Sequence, residues 1–131
     1  MVKQFLAIIA LTSILFACSD EDSKLEGKWQ MTQMEVNGSV MPIDTIYYNF
    51  QNSLFMYQIY NAVMGGYQAY GYKKVEDKDK LVLEMDSKTN LTEFYRRSDW
   101  TSNTRIFAIE KLSGSKLILQ EGGKKYIFRK F

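Results

Sequence analysis

From Gly27 to the C-terminus, apolar and aromatic residues recur at every second position in short runs, and each run stops at a turn signal. Such alternation puts one face of an extended segment in a core and the other in solvent. Gly27 to Val36 alternates this way and ends at Asn37-Gly38, a strong turn pair. Thr45 to Phe50 and Leu54 to Tyr60 follow, separated by Asn52-Ser53. Gly65-Gly66 turns into Tyr67 to Val75, and the charged run Glu76-Asp77-Lys78-Asp79 leads to Leu81 to Met85. Arg105 to Leu112, Lys116 to Gln120 and Tyr126 to Phe131 complete the set, divided by Ser113-Gly114 and Gly122-Gly123. Strands at ~8–12-residue spacing predict an all-β barrel or sandwich. One stretch departs from the pattern. Asn90 to Arg97 reads either as a loop or as a short helix capped by Asn90 with Glu93 three residues on. As a helical turn it would plug a barrel end with Leu91, Phe94 and Trp100.

Composition narrows the chemistry. The chain has no histidine and one cysteine, Cys18. The commonest general base and metal ligand are therefore missing, and no disulfide can form within the chain. The formal net charge of +2 gives no electrostatic case for nucleic acid. No serine, threonine or lysine nucleophile can be tied to a base, so the expectation is a protein that is not an enzyme and needs no cofactor or metal. Nine tyrosines and a single proline, Pro42, suit strands that pair along most of their length.

Residues 1–17 carry Lys3 and then an apolar run from Phe5 to Ala17, the layout of an export signal. The run is too short for a spanning helix, which needs ~20 apolar residues. Leu15-Phe16-Ala17-Cys18 resembles the bacterial lipobox, in which the chain is cut before the cysteine and that cysteine is acylated. The following Ser19-Asp20-Glu21-Asp22 resembles the acidic signal that sends lipoproteins of one group of Gram-negative bacteria to the outer face of the outer membrane. These resemblances imply a signal peptide over 1–17, an acidic tether over 18–24 and a single domain over 25–131. They also imply a membrane attachment through lipid on Cys18 at the cell surface.

Leu25-Glu26-Gly27-Lys28-Trp29 holds a Gly-x-Trp sequence, and Tyr126-Ile127-Phe128-Arg129 closes the chain. The pair resembles the lipocalin family, whose first strand opens with Gly-x-Trp and whose last strand packs an arginine over that tryptophan. The whole domain is similar to short lipocalin-like lipoproteins. Their ending is matched by Phe107, Ile109, Leu112, Leu117, Leu119 and Phe128-Arg129-Lys130. The resemblance implies a small eight-stranded antiparallel up-and-down barrel, with a β-sandwich as the alternative. Gly27, Trp29 and Arg129 would close it, the guanidinium lying on the indole face. It also implies a binding module for a small apolar or amphipathic ligand, or else a filled barrel that docks a surface protein.

Tyrosines crowd the second to fourth strands. Tyr57 and Tyr70, with Phe94, are the expected walls of a site at the open end, near Met64-Gly65-Gly66 and Leu91 to Trp100. The methionines read as core filling, and the acidic turn around Asp77 and Asp79 reads as solvated. Lys73-Lys74, Arg96-Arg97 and Lys124-Lys125 read as pairs that keep the surface soluble. Asp44-Thr45-Ile46 resembles an acceptor for O-linked glycans at Thr45. If Cys18 carries the anchor, Cys18→Ala should leave the protein unprocessed or released, and detergent phase partition should move it to the aqueous phase. A variant that loses its signal and stays with the membrane would contradict lipidation.

Overall fold

The structure is a computed structural model and describes residues 20–131. Cys18 and Ser19 lie outside the described residues. A short helix, α1 (Asp20–Leu25), leads into nine strands: β1 (Gly27–Val36), β2 (Ser39–Pro42), β3 (Ile46–Gln51), β4 (Leu54–Asn61), β5 (Gly65–Glu76), β6 (Lys80–Met85), β7 (Thr104–Leu112), β8 (Lys116–Glu121) and β9 (Lys124–Lys130). A second helix, α2 (Leu91–Arg97), joins β6 to β7. All pairings are antiparallel, and β9 returns to pair with β1. Eight strands thus close a barrel, with β2 as a flap folded back on the far half of β1. Closure leaves no free edge among the eight barrel strands and rules out the sandwich.

Side-chain parity fills the barrel. Phe55, Tyr57, Leu81, Leu83, Phe107, Leu117, Leu119, Tyr126 and Phe128 all point inward and are almost wholly buried. Tyr48 sits at the hub of this interior, with its ring 4.9 Å from Phe128, 5.1 Å from Phe55 and 5.7 Å from Tyr57. Bulges interrupt β1 between Met31 and Gln33 and β7 between Ile109 and Lys111. Each adds local bend to a sheet that must curl on itself. Gly71 faces inward where β5 crosses β6, and a Cβ there would stand 2.2 Å from the Glu84 carbonyl oxygen. Only glycine permits that approach.

One end of the barrel, the base, is sealed by Trp29. The side chain is fully buried, and its Nε1 donates to the Leu25 carbonyl at 2.9 Å. Gly27, at φ +114°, makes the bend from α1 into β1. The cation over the indole is Lys130, whose Nζ stands 4.5 Å from the ring centroid, and not the expected Arg129. The reason is register. Trp29 pairs with Lys130 and faces inward with it, whereas Arg129 pairs with Gln30 on the outer face. There Arg129 Nε donates to Gln30 Oε1 at 2.7 Å.

The expected tether is also corrected. Asp20–Leu25 is helical, Leu25 is fully buried beneath Trp29, and Asp22 pairs with Lys73 Nζ at 3.1 Å. The Lys73 side chain is only 2% exposed, because its parity on β5 turns it inward at the base. Sequence polarity suggested a solvated leash; a buried lysine that needs a carboxylate holds the helix down instead.

Trp29→Ala should destabilise the domain by ~3–5 kcal/mol in urea unfolding. Trp29 should couple to Lys130 in a double-mutant cycle by ~0.5–2 kcal/mol. Coupling to Arg129 should be near zero, and the reverse pattern would contradict the assignment of Lys130.

Candidate functional site

The other end, the rim, is covered by α2. Asn90 Oδ1 accepts from the Glu93 amide at 3.2 Å, the cap expected from the sequence. Hydrogen bonds from Arg96 and Arg97 hold the Glu93 carboxyl down to about 2. Phe94 is fully buried and points down into the barrel. Its ring meets Tyr57 edge-on at 5.4 Å and Trp100 at 5.1 Å. Trp100 is 1% exposed and stacks on Phe55 at 6.1 Å, so it helps plug this end with Phe94. The Ser98 hydroxyl turns the chain there: it donates to the Phe94 carbonyl at 2.7 Å and accepts from the Trp100 amide at 3.2 Å.

Beneath α2 lies a charged network inside the barrel. Arg105 is 6% exposed. Its Nε and one terminal nitrogen donate to both Glu121 oxygens at 3.2 and 2.7 Å, and the other terminal nitrogen donates to Asp99 Oδ1 at 3.1 Å. Tyr126 Oη accepts from Arg105 at 2.9 Å and donates to Asp99 Oδ2 at 2.5 Å. The guanidinium also lies 4.5 Å over the Phe107 ring. Burial opposes the charge, but the Glu121 bonds, Tyr48 and Asp99 outweigh it, and the Arg105 pKa is raised. Sequence reasoning missed this centre. Its signal was present: Arg105 shares parity with Phe107 and Ile109, which places it inward, where a cation requires carboxylates.

Four buried side-chain atoms have no hydrogen-bond partner among the described residues: Tyr48 Oη, Tyr57 Oη, Trp100 Nε1 and Gln58 Oε1. The first three belong to the interior beneath α2. The Trp100 N–H faces the Tyr48 hydroxyl closely enough to ease its ionisation, without reaching hydrogen-bond geometry. Burial, with Asp99 adding to it, raises both the Tyr48 and the Tyr57 pKa. An unsatisfied buried polar group costs about 1–3 kcal/mol. Two hydroxyls that can donate or accept and one indole N–H that only donates thus lie along one aromatic wall.

The expected wall residues separate. Tyr57 and Phe94 come together in the interior. Tyr70 is 56% exposed on the outer face of β5, opposite Met56. It lines a rim cleft of about 320 Å³ with Tyr67, Asp86, Lys88, Asn90 and Glu93, which runs up to the first turn of α2. A second cleft, about 560 Å³, lies at the base beside α1 and is lined by Asp22, Glu26, Asn52, Ser53, Lys73 and Lys74. The expected mobile tip near Met64-Gly65-Gly66 is the β4–β5 hairpin, where Val63 and Met64 are 92% and 87% exposed. Thr45 is half-buried in the β2–β3 connection, where its carbonyl accepts from the Tyr60 amide.

A closed eight-stranded barrel, plugged by a tryptophan after Gly-x and lidded by a short helix, defines a lipocalin-type scaffold. The chain belongs to the lipocalin-like domain family, whose model matches residues 13–131. It is similar to a lipocalin-like protein from Bacteroides uniformis, with 28% identity, a TM-score of 0.72 and coverage of 82% of this chain and 99% of that one. An uncharacterized protein from Bacteroides eggerthii is similar at 27% identity and a TM-score of 0.69, with the same coverage. No curated protein matches the chain.

The buried phenols have a consequence at alkaline pH. Unfolded tyrosine ionises at about 10, whereas Tyr48 and Tyr57 keep their protons well above that in the fold. Their contribution to stability is fully present below the unfolded value and is lost as pH climbs through and beyond it. The urea midpoint should therefore be flat from about pH 7 to about pH 9 and fall steeply above about pH 10. Tyr48→Phe and Tyr57→Phe should each flatten that fall.

Proposed function

We propose that this protein is a lipid-anchored, lipocalin-like binding module of the outer membrane, exposed at the cell surface, that takes a small amphipathic ligand at the α2 end of its barrel. The observation that carries this reading is the unpartnered trio of Tyr48 Oη, Tyr57 Oη and Trp100 Nε1 beneath the lid. Two hydroxyls and an indole N–H in a wall of apolar rings favour a ligand with an apolar body and one polar end. Around them the network carries one cation, Arg105, against two carboxylates, Asp99 and Glu121. That balance disfavours a carboxylate ligand and favours a neutral carbonyl or hydroxyl. The interior is filled by Phe94 and Trp100 while α2 is seated, so binding requires α2 to lift. The rim cleft against Tyr70 and Asn90 is where a ligand would first meet the lid. The role is binding and not catalysis, and the anchor rests on the lipobox-like setting of Cys18.

A second reading has its own support. Leu54, Tyr60, Tyr70 and Tyr72 stand 51–57% exposed on the outer face of β4 and β5, continuous with the bare hairpin tip at Val63 and Met64. An apolar stripe of this kind suits a protein partner and leaves the barrel as a filled support.

Tyr57→Phe separates the two. It removes an unsatisfied hydroxyl and keeps the ring, so the ligand-free domain should gain up to ~1–3 kcal/mol in stability. Under the ligand reading, fatty alcohols, monoacylglycerols or sterols should raise the Tm of the wild type and quench or shift Trp100 fluorescence. The variant should bind the same probe several-fold more weakly. If no probe changes Tm or fluorescence in either protein, the partner-docking reading replaces the first.

A further inference from the structure

The N-terminal helix does more than close the base: we infer that it clamps the protein base-down on the membrane. The proposal rests on the lipid-anchor reading. Two described interactions hold α1. Asp22 neutralises Lys73, whose Nζ would otherwise be a buried, uncompensated cation. Leu25 is fully buried, and its carbonyl accepts from Trp29 Nε1, the plug of the barrel. Glu26 adds a third tie, accepting from the Asn52 amide at 2.7 Å on the β3–β4 turn. Cys18 stands only two residues before Asp20, and a chain gains at most 3.8 Å per Cα step. In the sequence one residue, Ser19, separates the acylated position from a helix tied down at Asp22 and Leu25.

The anchor point and the lid are at opposite ends. β1 leaves α1 at the base and runs toward the rim, and β4 runs the same way from Leu54 to the hairpin tip. The base next to α1 mixes exposed apolar side chains with the charged turn Glu76-Asp77-Lys78-Asp79. Leu54 and Tyr72, paired across β4 and β5, are 52% and 51% exposed. Phe131, 65% exposed, packs edge-on against Tyr47 at 5.3 Å, and Lys74, with its side chain 71% exposed, pairs with Glu76 at 3.1 Å. Aromatic and lysine side chains favour the headgroup level, where the apolar part is buried and the polar tip stays wet. The occupant of this face is the bilayer that holds the Cys18 lipid, and α2 with the rim cleft looks outward. Asp22 then has a fixed structural duty within the acidic run.

Cys18 is the chain's one cysteine. Once it is acylated, an introduced thiol can be labelled alone. The test uses the full chain made in a Gram-negative host, purified with its lipid and placed in phosphatidylethanolamine vesicles carrying a nitroxide-headgroup lipid. A fluorophore is attached at Ser115→Cys on the β7–β8 turn at the base, or at Val63→Cys on the rim. The base label should be quenched several-fold more than the rim label. Inserting about ten Gly/Ser residues between Ser19 and Asp20, with a reach of ~17 Å, should bring the ratio toward one. Acylated protein with equal quenching at both positions overturns the orientation alone. A ratio that survives the spacer overturns the clamp as its cause. Unacylated protein by intact mass overturns the anchor and the orientation together.

Discussion

Closure of β9 onto β1 is the constraint on which the rest of this molecule depends. It fixes the register at the base, and register decides which cation meets the plug. With Trp29 opposite Lys130, the last inward side chain of β9 lands on the indole, and Arg129 is left outside to bind Gln30. A shift of one residue would exchange the two faces of the whole strand, which the buried Tyr126 and Phe128 forbid. The cation over the tryptophan is thus set by the same hydrophobic pattern that builds the core.

The interior is not uniformly apolar, and its polar part is concentrated at the lidded end. Arg105 binds two carboxylates from separate segments, Asp99 after α2 and Glu121 at the end of β8, and shares Tyr126 with Asp99. A buried ion network of this kind contributes little net stability, but removing one member strands a charge. It therefore couples the position of the lid segment to the barrel wall. The unpartnered hydroxyls of Tyr48 and Tyr57 sit beside that network, where the fold tolerates a cost that an apolar residue would avoid. Sites that break a local rule in this way are where binding is to be sought.

The two ends of the barrel divide the labour. The base is tight: a buried lysine, a buried leucine and a tryptophan hold the N-terminal helix. The rim is held by one helix of seven residues with a single fully buried side chain, Phe94. Local opening begins where fewest apolar contacts must be broken. In the proposed function that asymmetry puts the rigid end at the anchor and the adjustable end at the ligand.

Much of this was legible in the sequence. The eight barrel strands follow from period-two alternation and turn pairs, the inward set from Phe55 to Leu119 follows from parity, and the Asn90 cap follows from local hydrogen-bond chemistry. These are short-range properties, fixed by neighbours along the chain. The β2 flap, four exposed residues with no alternation to mark them, was not legible. Nor were the helical clamp at Asp20–Leu25, the exchange of Arg129 for Lys130 and the Arg105 centre. Each of these depends on a partner far away in sequence: Asp22 on Lys73, Trp29 on Lys130, Arg105 on Glu121. The sequence by itself determined the strands, their faces and the fold class, because alternation and turn chemistry are local. Which charges meet inside the closed barrel, and which polar groups are left there without partners, only the tertiary structure decided, because that follows from the register at which distant strands close.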